Sequence, residues 1–513
     1  MPAVSYLLAF GSGILLVLAF PPFDLHYIAW IALVPLFIAL NGRGAAKGFI
    51  IGAVFGLSFF CGSVYWVMNS IHYYGGLQLF SSSLITLLLC AYLSLYPAMF
   101  SAIAIHARRM HPSLFFIAAP AVWVMLELAR TYIFSGFPWA LLGYSQYLVL
   151  PIIQIADITG VYGISFIIVF VNAAVSDVMI DRKRVAPFVA ALVVAAAVTA
   201  YGMSRLDGLH PDGKIRISVV QGNIEQDRKW DPAYQAEVIS TYRRLTLSAL
   251  QDGPDLVIWP ETATPFYFGG AGPEHGRLTK DLEAFVRKTG VPLLFGSPTY
   301  EIRPGRVVRL RNSAFLLSGS GNVEAVYHKL HLVPFGEYVP LKDILFFVDK
   351  MVQAIGDFEP GNSHTVMTAR TPSEKDVKIG AVICYEIIFP DLVRRFVDRG
   401  ASVITTITND AWFGRTGAPY QHFSMAVLRA VENRVPIARA ANTGISGFIS
   451  PSGRIQKASA IFTEAYLTDT LETGSEKTFY TRYGDLFAYA CSIVVLSFLA
   501  FGKRVGIGPL IDI

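Results

Sequence analysis

Eight stretches of the chain, near 4–20, 25–40, 49–68, 79–105, 114–132, 158–180, 185–203 and 483–502, are apolar enough to be read as helices that cross a bilayer. A spanning helix needs about 20 residues, and in lipid every backbone amide has to find its partner inside the segment or in neighbouring protein. The first two stretches are on the short side. With 53% of its 513 residues hydrophobic and only 15% charged, the chain is excluded from the ordinary water-soluble enzymes. A multi-span α-helical membrane bundle of eight transmembrane helices is the expectation. The stretch at 4–20 lacks a basic region ahead of it and runs into Phe20-Pro21-Pro22-Phe23-Asp24 instead of a small-residue cleavage site, so it reads as a retained span and not a signal peptide.

Loop charges orient such a bundle, because cytoplasmic loops collect Lys and Arg. Arg43, Lys47, Arg108, Arg109, Arg182, Lys183, Arg184, Lys503 and Arg504 lie in 41–48, 106–112, 181–184 and 503–504, whereas 21–26, 69–78 and 133–157 carry no Lys or Arg. Basic and neutral loops alternate as eight crossings require. Both termini are therefore expected in the cytoplasm, with 204–482 on the opposite side. The net charge of +5 is scattered, without the aromatic-interleaved basic stripe of a nucleic-acid site, and no nucleic-acid partner is expected.

Within 204–482 the composition changes: charges become frequent, proline and glycine punctuate the chain, and β-rich runs alternate with helical patterns. Strands are predicted at 215–220, 255–259, 292–296, 313–318, 377–384 and 402–408, with helices at 233–250, 276–289, 387–399 and 420–434. Alternation of this kind builds an α/β layered fold. The expected domains are a seven-span bundle over 1–203, an exported globular domain over 204–482, and a final span with a cytoplasmic tail over 483–513.

Cys61, Cys90 and Cys491 fall inside expected spans, which leaves Cys384 as the only cysteine of the exported segment. A free cysteine is ordinarily a small core hydrophobe, yet an unpaired thiol in an oxidising compartment is a liability. Cys384 also stands where the apolar run from Val377 to Ile383 gives way to Tyr385 and Glu386, at the handover from strand to helix. Two other stretches share that layout. "DLVIWPET" sets Glu261 just past a strand, and "VYHKLHLVPFGEYVP" carries Lys329 and, eight residues on, Glu337. Strand ends of a layered α/β fold converge on one edge, where sites are built.

These residue types suit nucleophilic catalysis. A thiol is mostly protonated at neutral pH, so a carboxylate such as Glu261 has to take its proton. Attack on a carbonyl builds an oxyanion, which an ammonium such as Lys329 and a backbone N–H after the nucleophile stabilise. Glu337 can keep that lysine charged and placed. His328 and His331 lack a matching ligand set with zinc spacing, and no phosphate-binding loop of the P-loop form occurs, so neither metal nor cofactor is expected.

"WPE" with Glu261, "HKLHLVPFGEYVP" with Lys329 and Glu337, and "CYEIIFPDL" with Cys384 resemble the three signatures of the carbon–nitrogen hydrolase (nitrilase) superfamily, in its chain order. "TNDAWFG" (408–414) and "RAANTGISGFISPSG" (439–453) resemble it too. A nitrilase-like domain hung between a seven-span bundle and a last span looks like the apolipoprotein N-acyltransferase family of the bacterial cytoplasmic (inner) membrane. That resemblance implies a four-layer αββα sandwich in the periplasm. It implies that Cys384 takes an acyl chain from a glycerophospholipid as a thioester and passes it to the α-amine of the diacylglyceryl-cysteine of an apolipoprotein. Glu261 is then the base and Lys329 the oxyanion partner. Glu337 matches a supporting glutamate, Tyr385 and Glu386 the residues after the nucleophile, and Trp230 a functionally important tryptophan.

A membrane-tethered amidase that hydrolyses its acyl-enzyme with water would use the same residues, and a transporter with a non-catalytic exported domain would not need them. Glu127, in an expected span with Arg130 one turn on, is a site candidate because ionisable groups are costly there. In 341–358, Leu341, Ile344, Leu345, Val348, Val352 and Ile355 recur at helical spacing, which predicts an amphipathic helix, either packed on its own domain or serving as an arm that touches the membrane.

Overall fold

The computed structural model describes residues 2–208, 211–229, 231–270, 272–303, 307–338, 358–474 and 476–501. Two compact units divide the chain, Met1–Tyr65 with Ser83–Arg205 and Tyr483–Ile513 in one, and Trp66–Ser82 with Leu206–Arg482 in the other.

Among the described residues, five helices are long and apolar enough to cross a membrane: Ala45–Ser63, Leu79–Met110, Pro112–Ser135, Val161–Ile180 and Val185–Asp207. The remaining three expected spans are shorter apolar helices, Ala3–Leu18, His26–Leu40 and Leu486–Ala500. His26–Leu40 is also not one continuous helix. It runs as a 3-10 turn His26–Ile28, a single turn Ala29–Ala32 and a helix Val34–Leu40 with a proline in its first turn. The break frees backbone groups that lipid cannot satisfy. Asn172, buried in the helix Val161–Ile180, supplies them: its Oδ1 accepts from Leu33 N at 2.8 Å and its Nδ2 donates to Ala29 O at 2.9 Å. Glu127 and Arg130 serve the chain that follows their own helix. Glu127 Oε1 accepts from Trp123 Nε1 at 2.9 Å and Leu142 N at 2.7 Å, and Arg130 donates to Trp139 O at 2.7 Å.

Among its described residues the second unit holds two six-stranded sheets. The strands are β1 Gly213–Gln221, β2 Leu256–Ile258, β3 Leu293–Arg303, β4 Val307–Leu317, β5 Val323–His328, β6 Val366–Arg370, β7 Asp376–Ile383, β8 Val403–Thr408, β9 Ile437–Ala441, β10 Gly447–Ile449, β11 Ile455–Ala458 and β12 Ala465–Thr473. One sheet has the order β12-β1-β2-β3-β4-β5 and the other β11-β10-β9-β8-β7-β6. At the centres, β1-β2-β3 and β7-β8-β9 are parallel, so each needs crossovers. Helices Gln235–Ala249 and Pro273–Thr289 serve the first sheet, Pro390–Asp398 and Ala418–Asn433 the second. Parallel strands covered on both faces read as unbroken apolar runs, and every residue of β8 and β9 is buried.

All six predicted strands and all four predicted helices of this unit are present, although β3 runs on to Arg303 and β4 begins at Val307, well outside the predicted 292–296 and 313–318. Absent from the expectation were β5, β6 and β9 to β12. Helix-to-sheet packing on the first sheet joins Val238, Tyr242 and Leu245 to Trp259, Phe295 and Phe315 in one buried cluster. Trp259 stacks on Tyr242 with ring centroids 5.1 Å apart, which seats the chain immediately before Glu261.

Candidate active site

Four strand ends deliver the site. Glu261 follows β2, Lys329 follows β5, Cys384 follows β7 and Asn409 follows β8. Gly296 of β3 passes the Glu261 turn so closely that a Cβ there would lie 2.6 Å from Glu261 Cα, which reserves the position for glycine. Thr262, next in the chain, has φ +46°, and Cys384 has φ +52°, so both turns hold a non-glycine residue in the left-handed region. Such backbone costs about 1–3 kcal/mol and persists only where surrounding contacts enforce it.

Glu261, Lys329 and Glu337 form one hydrogen-bonded group. Lys329 Nζ lies 2.8 Å from Glu337 Oε1 and 3.7 Å from Glu261 Oε1. Asn312 of β4 bridges the two carboxylates, its Nδ2 donating to Glu261 Oε1 at 2.7 Å and to Glu337 Oε1 at 3.0 Å. Asn409 N–H donates to Glu261 Oε2 at 2.9 Å, and Val333 N–H to Glu337 Oε2 at 2.8 Å. Lys329 is 1% exposed and Cys384 8%, so these charges act in a medium far less screening than water. Burial works against the Lys329 charge, but Glu337 and Glu261 outweigh it and hold the ammonium above the ordinary lysine range. Burial and then the Glu261 carboxylate push the Cys384 thiol up, with Lys329 opposing. A thiol in that state reacts only when a base takes its proton.

Glu386 is scaffolding beneath this group. Its Oε1 accepts from Tyr327 Oη at 2.7 Å, Leu330 N at 2.6 Å and His331 N at 3.1 Å, and its Oε2 accepts from Ile383 N at 2.7 Å. It thereby ties the main chain after Lys329 to the main chain before Cys384. Burial, against those hydrogen bonds, pushes its carboxyl up to about 7. Tyr385 is buried against Phe389 and His331, with centroids 5.2 Å and 5.8 Å away. Trp230 lies outside the described residues, as do residues 341–357 of the expected arm.

Sequence reasoning passed over several parts. Asn312 sits inside a strand with no motif to mark it. Lys229, the residue before Trp230, reads as a surface cation, yet it is 0% exposed, and Nζ donates to Glu261 O at 3.1 Å and to Thr262 Oγ1. It braces the strained turn after the glutamate. Burial brings its ammonium down to about 8 against the pull of Glu261 and Cys384. The stretch Trp66–Tyr74, expected as a span end and a loop, packs on residues 410–413. Asn69 Nδ2 donates to Phe413 O at 3.1 Å and Ser70 Oγ to Trp412 O at 2.7 Å, and Trp66 meets Phe413 with ring centroids 4.8 Å apart.

Residues 12–174 match the model of the apolipoprotein N-acyltransferase N-terminal domain, and residues 216–477 match that of the carbon-nitrogen hydrolase family. An apolipoprotein N-acyltransferase of Geobacter metallireducens is 42% identical over 514 residues, spanning 98% of this chain and 96% of its own. Those of Haemophilus influenzae and Methylococcus capsulatus are 32% and 35% identical, over 98% and 94% of this chain and 96% and 93% of theirs.

Proposed function

The chain belongs to the apolipoprotein N-acyltransferase family, and from that premise we propose that it moves an acyl chain from a glycerophospholipid, through a thioester on Cys384, to the α-amine of a diacylglyceryl-cysteine at an apolipoprotein N-terminus. The observation that carries the residue roles is the Glu261–Asn312–Glu337–Lys329 group, whose charges act on the Cys384 thiol.

In the first half-reaction Glu261 takes the thiol proton and Sγ bonds to the ester carbonyl carbon. The carbonyl oxygen becomes an anion facing the Lys329 ammonium. Collapse breaks the ester C–O bond, and Glu261 returns the proton to the leaving lysophospholipid alkoxide. In the second, the neutral α-amine attacks the thioester carbonyl and yields its proton to Glu261. The C–S bond breaks, the amide leaves, and the proton restores the thiol. Glu337 and Asn312 keep Lys329 and Glu261 in register, while Tyr385, Glu386 and Trp230 support the nucleophile and substrate. No cofactor enters these steps.

The chain is a membrane protein. We assign it eight spans in the bacterial inner membrane, as a bundle over 1–203, a periplasmic four-layer αββα domain over 204–482 and a last span over 483–502. Both ends of the sequence then lie in the cytoplasm. Strands of the two sheets approach one another, β1 to β9 and β4 to β7, which supports the layered reading. Two lipid-anchored substrates and a tethered thiol meet at one interface, which removes much of the entropy cost of encounter. Hydrolysis by water is not favoured, because relatives along nearly the whole chain carry the N-acyltransferase name.

Intact-mass measurement on the purified protein with phospholipid alone tests the reading. An acyl adduct should form, persist in buffer, and discharge when a diacylated lipopeptide with a free amine is added. Spontaneous loss indifferent to lipopeptide would transfer the assignment to an amidase.

A further inference from the structure

Cys384 is held with φ +52° at the end of β7, a strained backbone that persists only where the contacts around it enforce it. Its carbonyl oxygen faces His422 Nε2 at 3.2 Å. His422 lies on the helix Ala418–Asn433, in no motif that marked the site, and is 0% exposed. On its other side, Nδ1 lies 3.1 Å from Asp410 Oδ1 and 2.9 Å from Arg439 Nη2, and that guanidinium nitrogen also donates to Asp410 Oδ2 at 2.8 Å.

Donor chemistry settles which ring nitrogen bears hydrogen. A carbonyl oxygen can only accept, so Nε2 carries a proton and donates to Cys384 O. At Nδ1 an obligate donor, Arg439, competes with an acceptor, Asp410. In either protonation state of Nδ1, the Nε2–H remains. The Phe413 ring closes the third side edge-on at 6.1 Å. Gly444 leaves the space that Asp410 needs, since a Cβ there would come within 2.0 Å of its Oδ2. Thr408 Oγ1 donates to Asp410 Oδ1 at 2.9 Å, completing a carboxylate that is clamped from the end of β8 and from β9.

We infer that His422 is a positioning residue for the nucleophile: its Nε2–H holds the Cys384 carbonyl, and with it the strained main chain that presents the thiol, while Asp410 and Arg439 fix the imidazole. The inference rests on Cys384 being the nucleophile. Releasing that carbonyl lets the Cys384 backbone relax and the Sγ drift from the line of attack. A displacement of about 1 Å costs on the order of 100-fold in rate. Substrate binding, which Cys384 O does not touch in this reading, stays as it was.

Two amides separate the roles of the two ring nitrogens. In His422→Gln the side-chain nitrogen reaches the place of Nε2 and can still donate to Cys384 O. In His422→Asn it reaches only the place of Nδ1, where it can still donate to Asp410, and the hydrogen bond to Cys384 is lost. Thioester formation by full-length protein in nanodiscs with palmitoyl-oleoyl phosphatidylethanolamine is followed by intact mass, with thermal melting as the control for folding. The expected result is a saturating rate of adduct formation lower by about 100-fold in His422→Asn, an unchanged apparent KM for the phospholipid, and recovery of most of the rate in His422→Gln. A folded Gln variant as slow as Asn, an Asn variant as fast as the parent, or a change confined to KM would each overturn the inference. If the parent protein itself forms no adduct, the thioester reading fails instead, so the two failures are told apart.

Discussion

Cys384 feels opposite charges from its two partners, and that makes their roles separable by titration. Glu261 pushes the thiol up and Lys329 pulls it down, so the pH profile of iodoacetamide alkylation should move to lower pH in Glu261→Gln and to higher pH in Lys329→Ala. Both variants should nevertheless lose thioester formation. In the proposed mechanism the first lacks a base for the thiol proton, and the second lacks an oxyanion partner, a loss of about 100-fold or more in kcat. Alkylation profiles that move together, or Lys329→Ala affecting only KM, would break this assignment. Glu386 illustrates a different cost. Its oxygens accept three backbone N–H groups and one hydroxyl, and an amide nitrogen at either oxygen would oppose a donor with a donor. Glu386→Gln should therefore lose about 1–3 kcal/mol of stability, read as a lower denaturation midpoint. Lys229 adds a pH signature of known sign. Its folded pKa, about 8, is depressed from the ordinary lysine value of 10.5, so between those values the unfolded chain binds more protons than the folded one. Stability should then rise with pH across that window, and Lys229→Met should flatten the rise.

Elements carry these residues through contacts remote in sequence. The segment Trp66–Tyr74 leaves an apolar helix and grips the carbonyls of Trp412 and Phe413, while Asn409, at the head of the same loop, donates its N–H to Glu261. A break in that grip should loosen the loop that supports the base. Asn69→Ala with Ser70→Ala removes two hydrogen bonds, together worth about 1–3 kcal/mol. Faster amide hydrogen exchange over 409–416 and slower thioester formation are expected, and unchanged exchange there would show the grip to be idle. In the apolar unit the corresponding element is the broken helix His26–Leu40. Asn172→Leu leaves Leu33 N–H and Ala29 O without their side-chain partner, so resistance to denaturant in micelles should fall by a similar amount.

At the scale of the whole molecule, the proposed orientation has a direct reporter. Alkaline phosphatase fused after residue 207 should be active, and fused after residue 182 inactive, because only the first position would be exported; the reverse pattern would invert the topology. Much of this molecule could be read along the chain. Apolar stretches announce spans wherever they stand, because transfer into lipid is decided by the segment's own side chains. The short motifs around Glu261 and Cys384 likewise end buried strands, a pattern set by local composition. What the sequence could not reveal depends on pairing between distant segments. Asn312 comes to Glu261 and Glu337 only through the register of β4 against β3 and β5. His422 stands in no motif and Arg439 only opens one, and nothing along the chain pairs either with Asp410 until burial beside that carboxylate makes them a clamp. Ala-rich β9 and the break in His26–Leu40 went unread for the same reason, since neighbours across the fold overrule weak local propensity. The residue types at the site were thus determined by the sequence itself. Only the tertiary structure decided which polar groups brace them, because a buried charge or a strained turn is tolerable solely where remote hydrogen bonds converge on it.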